Sequence, residues 1–306
     1  METFLGVEIG GTKLQLVLAD EQIHVAGHRR FAVEPAQGAD GIRRNIEHAI
    51  LELGKGQRFD AVGVGFGGPV DWRKGKIARS HQIAGWSGFE LGSWLERLAA
   101  APVFVDNDAN VAALGEATHG AGRGFNPAFY VTLGSGVGGG LIMDGNIYHG
   151  AAPGESEIGH IRLDRAGTIL ESRCSGWSVD ARIRELKKTA PESLLARLAG
   201  DTAGGEARFL AVALQQGDAP ARRLLREVAE DLAFGLSHVV QLLHPEVIVL
   251  GGGLAGLGEP LRSEVAESLR PLIMEVFRPG PEIRLAALGE AAVPTGAIEL
   301  ARRNLR

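Results

Sequence analysis

An α/β protein of two lobes is what the sequence predicts, on three observations. Glycine-rich loops follow apolar, β-like runs at Gly10-Gly11-Thr12-Lys13, at Gly134-Ser135-Gly136-Val137-Gly138-Gly139-Gly140 and at Gly251-Gly252-Gly253. The first part of the chain reads as three hairpin-like strands followed by alternating helices and strands. A second copy of that grammar opens at Phe129. Backbone without Cβ atoms can approach a ligand closely and turn its N–H groups toward it, which is what a phosphate chain needs. Three such loops point to a nucleotide held between two lobes.

Each element has its own reason. Residues 4–9 form a buried apolar run, and 14–18 and 23–33 read as the next two strands, joined by an Asp20-Glu21 turn. Ile42, Ile46, Ala49, Ile50 and Leu53 give 38–53 the spacing of a helix. Residues 61–65 are strand-like, 91–99 helical, and 103–105 a strand running into Asp106-Asn107-Asp108-Ala109-Asn110. Val111, Ala112, Leu114 and Ala117 then suit a helix. In the second copy, 129–133 and 140–143 are strands, with a Gly145-Asn146 turn before Ile147-Tyr148. A helix-rich stretch covers 178–244. Its last helix carries Leu224, Leu225, Val228, Leu232, Leu236, Val239 and Leu243 on one face and stops at His244-Pro245. Val247 to Leu250 is apolar throughout, as in a strand covered on both faces. Helices over 260–277 and 294–303 close the chain, with a strand at 283–287 between them.

Composition narrows the function. The chain has 306 residues, enough for two separate cores. A net charge of −5 gives no predisposition to nucleic acid or anionic lipid. The single cysteine, Cys174, excludes an intrachain disulfide and a multi-cysteine metal site. No run reaches the ~18 apolar residues of a membrane span, and no leader pattern precedes the first strand. A cytoplasmic protein is expected.

Several clusters carry chemistry. Gly10 and Gly11 allow a tight turn, with Thr12 and Lys13 offering a hydroxyl and a cation; the spacing is not that of a Walker A loop, so an ordinary hairpin turn competes with phosphate binding. Glu8 ends the first strand, where an acid can hold Mg²⁺ through water or simply face solvent. The turn at Gly65-Phe66-Gly67-Gly68-Pro69-Val70-Asp71 can bring backbone against a sugar. His81 and Trp86 follow it, the indole being either core or a platform. Asp106-Asn107-Asp108 places two carboxylates and an amide at the carboxyl end of a strand, where α/β folds collect ligands. A carboxylate there can take the proton of an attacking hydroxyl; the competing role is a helix N-cap, and the two acids can divide these tasks. Glu155, Glu157, His160 and Glu171 can bind sugar hydroxyls, whereas a zinc site at His160 lacks ligands.

Together these motifs resemble the ROK family (repressor, open reading frame, kinase) of sugar kinases, within the actin–hexokinase–Hsp70 superfamily. Glu8 to Lys13 is similar to the family's DIGGTK loop, and Gly65 to Asp71 to its glycine–proline turn, with Gly68 at a family glycine. Asp106 to Asn110 is similar to E-N-D-A-N, whose second acid, the catalytic base, falls on Asp108. Leu133 to Gly140 is similar to LGTGVGGG, with Ser135 for threonine. Glu157 to His160 matches E-I-G-H, Leu170-Glu171 the later sugar-binding L-E, and Gly251 to Gly253 the adenosine-side glycines. Three departures stand out. Glu8 replaces aspartate, and His81 stands where many glucokinases have asparagine. The cysteine-rich zinc loop is missing between His160 and Glu171, so zinc is not expected and something else must position His160.

The resemblance implies two ribonuclease-H-like, actin-like lobes with a cleft between them. Residues 1–117 plus 290–306 would form the smaller lobe and 118–289 the larger. It implies ATP and Mg²⁺ as cofactors and a hexose as substrate, glucose and its 6-hydroxyl first. Asp108 would be general base. Gly68, His81, Asn107, Glu157, His160 and Glu171 would hold the sugar. Gly10, Gly11, Thr12, Lys13, Gly134, Ser135, Gly136, Gly138, Gly251, Gly252 and Gly253 would hold ATP, with Glu8 at the metal. A homodimer, no nucleic acid and no membrane complete the expectation, since the helix-turn-helix of the family's repressors is missing ahead of the first strand. The alternatives are a kinase for fructose, mannose or an N-acetylhexosamine, a non-catalytic sugar sensor, and an Hsp70- or actin-like ATPase.

Overall fold

The computed structural model describes residues 2–80, 83–152, 154 and 156–305. It divides into two compact units, Met1–Gly124 with Gly140–Ser156 and Ala287–Arg306, and Phe125–Gly139 with Glu157–Ala286. The first unit begins with β1 (Thr3–Ile9), β2 (Lys13–Asp20), β3 (Val25–Ala32), α1 (Gly38–Leu53), β4 (Ala61–Phe66), β5 (Val70–Asp71), β6 (Lys76–Ile77), α2 (Leu91–Ala99), β7 (Val103–Asn107) and α3 (Asp108–His119). The second opens with β8 (Ala128–Leu133). The chain then passes between units within β9 (Val137–Met143), before β10 (Asn146–Ile147). Helices α4 (Glu171–Cys174), α5 (Gly176–Thr189), α6 (Leu194–Ala199), α7 (Leu210–Gln215) and α8 (Ala219–Leu243) follow. β11 (Val247–Gly251), α9 (Glu259–Leu269), β12 (Glu282–Leu285) and α10 (Ala292–Leu305) end the chain, α10 back in the first unit.

The first sheet runs β3-β2-β1-β4-β7. β2 is antiparallel to β1 and β3, whereas β1, β4 and β7 are parallel. Ile9 pairs with Phe66 and Phe66 with Asn107. The residues that follow, Gly10, Gly67 and Asp108, therefore leave the sheet side by side at its carboxyl edge. α1 buries the periodic Ile42, Ile46, Ala49, Ile50 and Leu53 into a core with Leu14, Leu16, Val62 and Val64.

α10 lies on the strands so closely that side chains are excluded. A Cβ on Gly63 of β4 would stand 1.8 Å from the Ala297 carbonyl oxygen, and one on Gly6 of β1 2.6 Å from that of Pro294. Because the obstacles are backbone atoms, relief requires moving the helix. Gly63→Ala is expected to lower unfolding free energy by about 1–3 kcal/mol or more, as overpacked cores do; a urea melt that matches wild type would show that α10 yields freely.

In the second sheet, ordered β10-β9-β8-β11-β12, β11 is parallel to β8 and β12. Gly251 pairs with Thr132, so the turns after β8 and β11 emerge at one edge. α8 buries Leu224, Leu225, Val228, Leu232, Leu236 and Val239 as the periodicity predicts; Leu243, expected on the same face, is only half-buried. The helix ends at His244, left-handed at φ 46°, ahead of Pro245.

Two boundaries differ from expectation. Ile23, placed in the third strand by its type, sits in a turn at φ 65°. Asp20 Oδ1 accepts from the backbone N–H of Gln22 and of His24, both at 2.9 Å, and closes that turn before β3 can start. The helix expected over 260–277 ends at Leu269, because Pro271 disfavours helix in the residue before it; single 3₁₀ turns carry the chain on to Phe277. Among the described residues no helix is long and apolar enough to cross a membrane.

Candidate active site

In the first unit the carboxyl edge of the sheet gathers Glu8, Gly10, Gly67 and the Asp106–Asp108 turn. A Cβ on Gly67 would stand 3.3 Å from Asp108 Oδ2 and 3.3 Å from the Ile9 carbonyl oxygen, with the Gly10 Cα at 3.5 Å. The Asp108 carboxylate thus borders the same small space as the start of the first glycine loop, a space that exists because residue 67 has no side chain. Asp108 is the first residue of α3, at the positive end of its helix dipole.

The two acids of the turn have different work, and neither caps the helix. Asn107 does so: its Oδ1 accepts from Ala109 N–H at 2.9 Å and Asn110 N–H at 3.3 Å. Its Nδ2 donates to the Gly68 carbonyl at 3.2 Å, tying the turn to the glycine–proline loop after β4. Asp108 is half-buried. Asp106 is 2% exposed. Its Oδ1 accepts from Asn107 N–H at 2.8 Å and from Asn110 Nδ2 at 3.0 Å. Its Oδ2 meets His149 Nε2 at 2.6 Å. Sequence reasoning gave Asp106 no separate role and did not single out His149.

The first glycine loop is a closed turn: Gly10 N–H donates to the Lys13 carbonyl at 2.9 Å, and Val33 N–H to that of Thr12 at 3.0 Å. Thr12 is exposed. Glu8 is buried beneath it. Lys13 Nζ lies 3.2 Å from Glu8 Oε1, and Gln15 Nε2 donates to Oε2. Burial raises the Glu8 carboxyl above its usual range, against the lowering effect of Gln15 and Lys13. Trp86 is 1% exposed and packs edge-on to Phe66 at 5.6 Å between centroids, so it is core rather than a platform. His81 and Glu155 lie outside the described residues.

The second unit gathers Gly134, Ser135, Gly136, Gly138, Glu157, His160, Glu171 and Gly251 to Gly253. Gly134 N–H donates to the Gly136 carbonyl at 3.0 Å, and Gly176 N–H to that of Gly134 at 2.7 Å. Gly252 has φ 79°, and a Cβ there would lie 2.5 Å from Leu133 N, so only glycine lets the turn after β11 press on the end of β8. Glu171 reaches the glycine loop, its Oε2 accepting from Val137 N–H at 2.8 Å. His160 Nδ1 lies 3.4 Å from Glu157 Oε2, with both side chains largely open to solvent.

The interval between His160 and Glu171, which holds no cysteine, closes as a short hairpin. Arg162 bridges Ile169, Leu163 N–H donates to the Thr168 carbonyl at 2.8 Å, and Leu170 N–H to that of Ile161 at 2.9 Å. This hairpin brings the start of α4, and with it Glu171, back beside the 3₁₀ turn that carries His160. Cys174 is fully buried and burial pushes its thiol up, so it is no nucleophile.

The chain as a whole has counterparts elsewhere. Residues 4–304 match the model of the ROK family. The chain belongs to the ROK family. It is 30% identical to the glucokinase of Thermotoga maritima over 98% of each chain. A ROK family glucokinase from Streptomyces griseus, crystallised with glucose and AMPPNP, superposes with a TM-score of 0.86 at 32% identity over 98% of this chain and 99% of that one. The chain is also 26% identical to the xylose repressor of Caldicellulosiruptor bescii, over 78% of its own length and 61% of the repressor's. The expected fold, two ribonuclease-H-like lobes of the actin-like ATPase type, is borne out by the likeness to the ROK kinase structures.

Proposed function

We propose that this protein is an ATP-dependent hexose kinase, glucokinase-like in transferring phosphate to the 6-hydroxyl, with Asp108 as general base. The observation that carries the reading is the Asp108 carboxylate at the carboxyl ends of β1, β4 and β7, bordering one space with Gly10 and Gly67. Asp108 takes the hydroxyl proton as the sugar oxygen attacks the γ-phosphate. The glycine turns at Gly10, Gly11, Gly134, Gly136 and Gly138, with Thr12, Lys13 and Ser135, hold the phosphates. Gly251 to Gly253 face the adenosine. Asn107, Glu157, His160 and Glu171 orient the sugar, with Gly68 and His81. Mg²⁺ bound with the triphosphate would supply neutralisation of its charge. Glu8 fits a water-mediated hold on that ion, because each carboxylate oxygen keeps a second lone pair beyond Lys13 or Gln15. The interval 161–170 closes on its own backbone hydrogen bonds, and this reading calls for no zinc.

The full-length similarity to glucokinases supports the reading, and the cytoplasm and a homodimer go with it. The test is ADP release measured over glucose, fructose, mannose and N-acetylated hexosamines, followed by location of the new phosphoester. Glucose-dependent turnover with a 6-phosphate is expected. The likeness to a xylose repressor favours a second reading, a sugar-binding sensor; saturable sugar binding without ADP release would establish it. ADP release that needs no sugar would instead indicate a plain ATPase.

A further inference from the structure

We infer that His149 is a positioning residue for the phosphoryl transfer, acting through Asp106 on the turn that carries Asp108. The inference rests on Asp108 being the base. His149 lies 43 positions from Asp106, yet its Nε2 meets Asp106 Oδ2 at 2.6 Å. A carboxylate oxygen can only accept, so His149 Nε2–H donates. Both residues belong to the first unit. The Asp106 side chain is 3% exposed and that of His149 15%, so the contact is shielded from water and its geometry is held.

Two features fix the imidazole itself. Its ring stacks on Trp72, centroids 4.1 Å apart and planes 15° from parallel. The Arg73 guanidinium covers that indole at 5.1 Å from its centroid. The histidine therefore comes to Asp106 in one orientation.

What His149 fixes is the rotation of the Asp106 carboxylate. With Oδ2 held by His149, Oδ1 is the oxygen left to receive Asn107 N–H and Asn110 Nδ2. Asn107 in turn caps α3 and binds the Gly68 carbonyl. The chain of contacts His149, Asp106, Asn107 thus sets the backbone from which the next residue, Asp108, projects. Sugar binding draws on several groups and tolerates a small shift of this turn. Proton transfer does not, since misplacement by about 1 Å can cost about 10²-fold. Loss of His149 should accordingly appear in kcat and hardly in KM.

The test compares His149→Phe, which keeps a flat ring against Trp72 without a donor, with His149→Gln, whose amide can still donate to Asp106. Both are made alone, and His149→Phe also with Asp108→Asn. His149→Phe is expected to lower kcat by about 10–100-fold, with the KM for hexose within about threefold. His149→Gln should recover most of the turnover. In the double variant, kcat should equal that of Asp108→Asn alone, because positioning a base that is gone has no value. If His149→Phe turns over like wild type, or multiplies its full loss onto Asp108→Asn, the positioning role is refuted. A wild-type rate in Asp108→Asn would instead remove the base and leave the two failures distinct. Should His149→Phe not fold, His149→Asn, too short to reach Asp106, is read by the same criteria.

Discussion

Asp108→Asn is expected to lower kcat by about 10²–10⁴-fold, the usual contribution of a positioned general base. The substitution is nearly isosteric, so the first turn of α3 and the Asn107 cap should survive it, and the space beside Gly67 and Gly10 keeps its shape. What disappears is the capacity to accept a proton: an amide oxygen accepts a hydrogen bond but not the proton of a sugar hydroxyl. The KM for hexose should stay within severalfold, because Asn107, Glu157, His160 and Glu171 remain. Steady-state kinetics on the best hexose decides the matter. Turnover near wild type would take the base away from Asp108, and a collapse of binding with kcat unchanged would make it a binding residue only.

How much of this was legible in the chain depended on sequence distance. The apolar runs at β1, β4 and β7 and the motifs that end them are local, and their register follows once the strands are parallel. The sequence therefore placed Gly10, Gly67 and Asp108 in candidate loops without their coordinates. Either acid of the turn is of a type that caps helices, but the amide between them does so, because Asn107 stands one residue before the helical backbone begins. Ile23 was misplaced because β propensity outweighed an Asx turn that only the Asp20 side chain reveals. The hairpin over 161–170 was unreadable, since its strands are too short to show alternation. The Asp106–His149 contact joins positions 43 apart, and no local pattern encodes it; a lone histidine before a glycine has many ordinary uses. Gln15, under Glu8, is the same kind of case: it is an inward-facing polar residue in an otherwise apolar strand, and that break in β2 was the available signal.

A large pH-dependent effect on stability is expected from Glu299, in the middle of α10 and 1% exposed. Burial alone would raise its carboxyl, but hydrogen bonds from Arg302 and Arg303 outweigh it and hold the pKa down at about 2, from an ordinary 4.5. Arg302 donates through Nε and Nη2, at 2.9 and 2.7 Å, and Arg303 through Nε; His119 Nε2 approaches at 3.4 Å. The sign follows from linkage. A carboxyl whose folded pKa lies below its unfolded one stabilises the fold fully above about pH 4.5, and that contribution fades as pH falls toward about 2. At about 1.4 kcal/mol per pKa unit, the shift corresponds to roughly 3 kcal/mol. Glu299→Gln should therefore unfold about 2–3 kcal/mol more easily at neutral pH, the half-exposed arginines recovering part of the loss through hydration. The gap to wild type should narrow as urea melts are repeated from about pH 6 down to about pH 3. A gap that stays constant over that range would mean that Glu299 acts by packing rather than by charge, leaving α10 held to β1 and β4 chiefly by the glycine contacts beneath it.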